Sequence, residues 1–150
     1  MIDLEDLAKQ LSCPDGENGI AVGEIMNESN IGMTKAAIDS LQLKDREQIL
    51  ELGHGNCKHL PYVLKQANDL EYIGLELSQT MKNSAILNNS DHLNSNVRFE
   101  LIRDERIQFY EKRFDKIFTV NTIYFWKEPE FFLNEISSMV SCNLILASKS

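Results

Sequence analysis

Ile49-Leu50-Glu51-Leu52-Gly53-His54-Gly55-Asn56-Cys57 is a short apolar strand that carries an acidic residue and then breaks at Gly-x-Gly, just ahead of a helical pattern. Glycine at 53 permits a sharp turn, and glycine at 55 lets another molecule approach bare backbone. Strand–glycine loop–helix units of this kind hold nucleotide-like molecules at the carboxyl ends of strands in open α/β sheets.

Outward from this stretch, strand patterns fall at 48–52, 72–76, 97–101, 115–120 and 143–147. Helical patterns fall at about 60–68, 79–89 and 129–140. The alternation predicts an α/β fold: a doubly wound, Rossmann-like, mostly parallel sheet of about five strands with helices on both faces. Pro61 suits the first turn of the first of these helices, where its missing N–H costs nothing. The polar run 88–96 reads as a loop. Ahead of the sheet, Asp3 to Leu11 reads as an amphipathic helix and residues 12–19 as a loop dense in turn-formers. A helical pattern resumes from Val22 to Leu41, interrupted at Asn27–Asn30 and Gly32, with Thr34 offering an N-cap for Lys35 to Leu41. Residues 1–44 are thus expected to form a helical segment, and 45–150 the sheet domain.

The chain has 150 residues, enough for one domain with a buried core. Its formal net charge of -8 repels phosphate backbones, so no nucleic-acid partner is expected. No apolar run approaches the roughly 20 residues of a membrane span, so no membrane partner is expected either. The acidic start Met1-Ile2-Asp3-Leu4-Glu5-Asp6 lacks the features of a signal peptide. Three separated cysteines (Cys13, Cys57, Cys142) argue against a disulfide framework, and a reduced, cytoplasmic location is the expectation.

His54, Cys57 and His59 are all zinc-ligating types, but their spacing matches no usual pattern, and no metal site is expected. A dinucleotide site would want a third glycine at position 58, where this chain has lysine. Glu51, two residues before the first glycine, suits a cofactor with a cationic amino-acid portion instead.

The segment resembles motif I of class I S-adenosylmethionine-dependent methyltransferases, (D/E)-x-G-x-G-x-G. Glu51, Gly53 and Gly55 match it, and Cys57 stands in place of the third glycine. The resemblance runs over about residues 46–147 and implies S-adenosylmethionine as cofactor. It places Glu76, at the end of Tyr72-Ile73-Gly74-Leu75-Glu76, on the ribose hydroxyls and Leu77 against the adenine. After the third strand, Leu101-Ile102-Arg103-Asp104-Glu105 departs from the family's Gly-Asp-Ala turn, and Asp104 is carried over as the residue meeting the adenine amino group. Asn121 falls at the methionine end of the cofactor. Tyr124 and Trp126, beyond the fourth strand, become candidates to face the substrate, and Asn30 and Met33 to belong to a lid. No catalytic base is assigned.

The expected sheet order is 3-2-1-4-5, without the last two strands usual in the family, so the domain reads as carboxyl-terminally shortened. The implied activity is methyl transfer to a small-molecule acceptor. The alternative is a truncated, catalytically weak domain that binds the cofactor or a partner protein. An apolar fifth strand at the sheet edge also raises the expectation of a homodimer formed through it.

Overall fold

The computed structural model describes residues 3–103, 106–107 and 112–149. Two helices, α1 (Leu4–Ser12) and α2 (Gly16–Leu41), precede β1 (Gln48–Leu52) and the short α3 (Leu60–Leu64). Then come β2 (Glu71–Glu76), α4 (Gln79–Asn88), a 3-10 turn at Ser90–His92 and β3 (Val97–Leu101). The chain continues through β4 (Phe114–Val120), a second 3-10 turn at Ile123–Phe125, α5 (Pro129–Met139) and β5 (Val140–Ala147). The five strands form one parallel sheet in the order β3-β2-β1-β4-β5, as the sequence predicts.

Strand periodicity divides the core between the two faces of this sheet. Ile49, Tyr72, Phe99 and Phe118 point to one face, where they pack with Ile38 and Leu41 of α2, Leu60 and Val63 of α3, and Ala85 of α4. Leu50, Leu52, Ile73, Leu75 and Ile117 point to the other face and meet Phe132, Ile136 and Met139 of α5. Covering both faces is what lets these strands be apolar nearly throughout.

Gly74 belongs to the first face, opposite Glu51 in the register of β1 and β2. A Cβ on it would lie 2.6 Å from Cδ2 of His54 and 2.9 Å from Cδ1 of Phe99. Gly74→Ala is therefore expected to cost about 1–3 kcal/mol by overpacking. A urea midpoint lowered without a change in slope would register it.

The largest departure from the sequence reading is α2, which runs unbroken for 26 residues. The polar stretch 27–30 and Gly32 do not interrupt it, and Thr34 is a buried mid-helix residue rather than an N-cap. Packing accounts for the difference. Val22 and Gly23 are anchored on one side of the polar stretch, and Thr34, Ala37, Ile38 and Leu41 on the other. Tertiary burial at both ends carries the helix through a locally unfavourable middle. The anchor at Gly23 is close: a Cβ there would sit 2.7 Å from Sδ and 2.8 Å from Cε of Met81 in α4. The helix ends at Gln42 in the left-handed conformation.

Two smaller boundaries also differ. The helix expected over 60–68 stops at Leu64, because the residues beyond it are tied to the turn before β1. Asn68 donates its N–H to Asp45 at 2.8 Å, and its carbonyl accepts from the Arg46 N–H at 2.9 Å. The fifth strand starts at Val140, directly after α5, with a register shift between Phe114 and Lys116 where it joins β4.

Candidate functional site

A cleft enclosing about 990 Å³ of space, part of it open to solvent, lies at the carboxyl ends of β1, β2 and β4. Its floor is the loop after β1. Gly53 has φ +68 and donates its N–H to the Leu75 carbonyl at 2.8 Å. A Cβ on Gly53 would meet Cγ2 of Thr122 at 2.4 Å, so only glycine fits there. Gly55 has φ +59 with open space where a Cβ would go. Bare backbone therefore faces the cleft where the sequence placed it.

Glu76 closes β2 at the edge of this floor and is 7% exposed. Its Oε2 accepts from the Gly55 N–H at 3.0 Å, and its Oε1 from the N–H groups of Leu77 at 2.9 Å and Ser78 at 3.2 Å. Three backbone donors thus fix the carboxylate and leave further lone-pair directions for a ligand. Ser78 in turn caps α4, accepting from the Met81 N–H at 3.0 Å, and donates its hydroxyl to the Pro14 carbonyl. That second bond ties the segment between α1 and α2 over the site. Leu77 lines the cleft and is partly exposed.

Glu51 lies deeper, on the face of β1 shared with Tyr72. Both its oxygens are 2.8 Å from Nε2 of His59, and Tyr72 donates its hydroxyl to Oε2. Burial by itself would raise the Glu51 carboxyl, but the charge and hydrogen bonds of His59, helped by Tyr72, hold it below its ordinary value. Burial would likewise lower His59, and Glu51 with Cys57 outweighs it, leaving the imidazole well above its usual range. The two form a buried ion pair at the base of the cleft. Cys57 completes the group, its Sγ 3.3 Å from the Tyr72 hydroxyl and 3.9 Å from His59 Nε2.

His54 takes no part in that group. It turns toward β3, its ring centroid 4.8 Å from that of Phe99, in the room left by Gly74. Its Nδ1 lies 2.8 Å from the Gly55 carbonyl oxygen, so Nδ1 carries the proton, and Nε2 is buried without a partner among the described residues. Burial pushes its pKa down, keeping the ring neutral.

The roof comes from α2, whose Gly23, Met26, Asn27, Asn30 and Thr34 line the cleft. Asn121, left-handed at φ 56, latches this roof to the sheet. Its Nδ2 donates to Oδ1 of Asn30 at 2.8 Å, while its Oδ1 accepts from the Lys149 N–H at 2.9 Å. Met33, the other expected lid residue, does not line the cleft.

Of the two aromatic substrate candidates, Trp126 lines the cleft and packs edge-on against Phe132 with centroids 4.6 Å apart. Tyr124 does not. It is 61% exposed and donates its hydroxyl to the Lys149 carbonyl, and Phe125 takes its place at the cleft. The 3-10 turn at Ile123–Phe125 sets this one-residue exchange, which strand periodicity could not foretell. Asp104 lies outside the described residues. Sequence reasoning missed Met26, Asn27 and Thr34, whose only signal was their spacing on a helix assumed to be broken.

The methyltransferase domain family matches residues 50–143 of the chain. Among solved structures, the chain is similar to the plantazolicin methyltransferase BpumL, solved with a pentazolic desmethylPZN analog and SAH. The TM-score is 0.73 at 19% identity, covering 91% of this chain and 55% of that one. It is also similar to a SAM-dependent methyltransferase from Aquifex aeolicus, with a TM-score of 0.66 at 22% identity over 75% of this chain and 61% of that one. A chain of the complex containing the Haloferax volcanii Trm112 methyltransferase activator gives 0.73 at 16% identity, over 84% and 55%. At these identities the likeness is one of fold. The chain spans about half the length of the solved structures it matches. No curated protein matches the sequence. Among the described residues, no helix is long and apolar enough to cross a membrane.

Proposed function

The chain belongs to the methyltransferase domain family, and from that premise we propose that its cleft binds S-adenosylmethionine and directs the methyl group to a small-molecule acceptor. The observation that carries the reading is the pairing of Gly55 with Glu76. Open space before a left-handed glycine lies beside a carboxylate already oriented by three backbone N–H groups. A carboxylate so placed suits a ribose diol, since both hydroxyls can donate to one anionic group.

Further residues fit the rest of the cofactor. Leu77 offers an apolar edge for adenine. Glu51, with lone pairs left after His59 and Tyr72, suits an ammonium, and Asn121, which also lines the cleft, is the residue proposed for the methionine end. Asp104 remains part of the proposal as the residue for the adenine amino group.

S-adenosylmethionine when bound supplies an electrophilic methyl on a sulfonium. The protein's share is alignment and exclusion of water. The α2 roof and its Asn30–Asn121 latch do the second, and Trp126 and Phe125 present aromatic surface that attracts cationic and apolar groups. His54 is held neutral but buried, and no residue is assigned as a base.

Calorimetric titration with S-adenosylmethionine and S-adenosylhomocysteine tests the reading. Micromolar binding of both supports it, and a folded chain that binds neither would overturn it. The partial coverage of each relative favours one further reading, in which this stretch holds the cofactor without turning over an acceptor by itself. Binding without methyl transfer to any of a panel of small nucleophiles would favour that reading. We also infer a cytoplasmic setting from the three unpaired cysteines, and pairing of two chains along the edge of β5, which the mass from sedimentation in analytical ultracentrifugation would check.

A further inference from the structure

We propose that Glu51, Cys57 and His59, with Tyr72 behind them, form a binding site for a thiophilic divalent cation such as Zn2+. The three side chains come from β1 and from the loop that follows it, and the ion takes the Glu51 carboxylate in the cofactor-free chain, where it competes with the ammonium proposed for the same group. One ligand atom from each lies within 4.8 Å of the other two. Cys57 and Tyr72 are fully buried, Glu51 is 2% exposed and His59 6%.

The donor set is carboxylate oxygen, thiol sulfur and imidazole nitrogen, with a phenol oxygen adjacent. Zinc takes these atoms at about 2.0–2.3 Å in tetrahedral geometry, which sets donor atoms roughly 3.5 Å apart. The sulfur stands 3.9 Å from His59 Nε2 and 3.3 Å from the Tyr72 oxygen, close to that spacing. The Glu51–His59 contact, at 2.8 Å, would open by roughly half an ångström to admit the ion. A thiolate among the ligands selects zinc over magnesium or calcium, which prefer oxygen alone.

Charge favours the exchange. The carboxylate and the thiolate together neutralise a divalent ion, so the buried group stays without net charge. Binding would release the thiol proton and the second imidazole proton to water, and no other charge need move. Glu51 and His59 both line the cleft, which gives the ion a path in and a water molecule a route to the fourth position.

The backbone supplies an independent argument. Cys57 has φ 50, a left-handed conformation that costs a non-glycine residue about 1–2 kcal/mol. It occupies the place of the third glycine in the motif the segment resembles, where glycine would avoid that cost. Among the described residues, four other non-glycine residues share this conformation, all at least partly exposed; Cys57 alone among them is fully buried, with its sulfur among the other donors.

The double variant Cys13→Ser/Cys142→Ser leaves Cys57 as the one thiol of the chain and alters only exposed cysteines. Titrated with Co2+ alone, it is expected to develop a thiolate-to-cobalt charge-transfer band saturating at one ion per chain and abolished by added Zn2+. Adding Cys57→Gly, whose relaxed left-handed backbone offsets part of the cost of the emptied side-chain site, should remove the band. Absence of the band in the double variant overturns the proposal. So does a band or zinc stoichiometry unchanged by Cys57→Gly, with circular dichroism reporting that each chain is folded.

Discussion

Glu76→Ala is expected to weaken S-adenosylmethionine binding by about 100-fold. A hydrogen bond to a charged group contributes about 1.5–3 kcal/mol, and two from a ribose diol make a loss near 3 kcal/mol a conservative figure. The same substitution strips the N–H groups of Gly55, Leu77 and Ser78 of their acceptor, so the glycine loop itself loosens. Glu76→Gln separates the two effects. Its amide oxygen can still hold part of the loop, but it lacks the charge and the second acceptor. Calorimetry should place it between wild type and Ala. Equal affinity in all three chains would remove Glu76 from the site.

The largest loss of stability is expected from breaking the buried pair. In the metal-free chain, His59→Leu leaves the Glu51 carboxylate buried with Tyr72 alone, a change expected to cost about 3–5 kcal/mol. The double variant Glu51→Gln/His59→Leu, which also removes the charge, should recover most of that. Urea denaturation of the three chains measures both numbers. A single variant as stable as wild type would mean that the pair contributes nothing.

The same pair sets a pH dependence. His59 titrates near 6.5 when unfolded and well above that when folded, so its contribution is whole below pH 6.5 and drains as pH rises through the folded value. Glu51 runs the other way. Its contribution is present above 4.5 and is lost as pH falls through its lowered folded value. The pair is therefore worth most between pH 4.5 and 6.5. His54 opposes this on the acid side: its folded value is depressed, so below pH 6.5 the unfolded chain binds a proton that the folded chain refuses. Because wild type and His59→Leu share His54, the gap between their stabilities reports the Glu51–His59 pair, and the His59 share of it should drain as pH climbs from 6.5 through the raised folded value.

The strands were legible because their apolar residues needed no partner to be recognised. Ile49, Leu50 and Leu52 fill both faces of β1 in a pattern that only a doubly covered strand can use. Glu76 came from the family resemblance, and its carboxylate lines the cleft at the end of β2. The place of Glu51 on β1 was legible but its company was not. His59 follows a loop whose path depends on left-handed residues at 53, 55 and 57, and Tyr72 arrives from the neighbouring strand. Their convergence is a fact of register, and spacing along the chain does not encode it. The continuity of α2 was hidden likewise, because the residues that hold it are anchored by other elements. The exchange of Tyr124 for Phe125 turned on one 3-10 turn, too short to leave a periodic signal.

The close seat of Gly23 on Met81 makes a chemical clock of the roof. Met81 is 1% exposed, and its sulfur rests where a side chain on α2 would otherwise be. A peroxide reaches that sulfur through the cleft, which Met81 lines, or when α2 lifts, and the sulfoxide it leaves is too polar to be resealed under the helix. The rate at which Met81 oxidises, read by mass spectrometry against the partly exposed Met33, thus measures access to the cleft. A ligand that fills the cleft should slow that rate, whether or not it is ever converted.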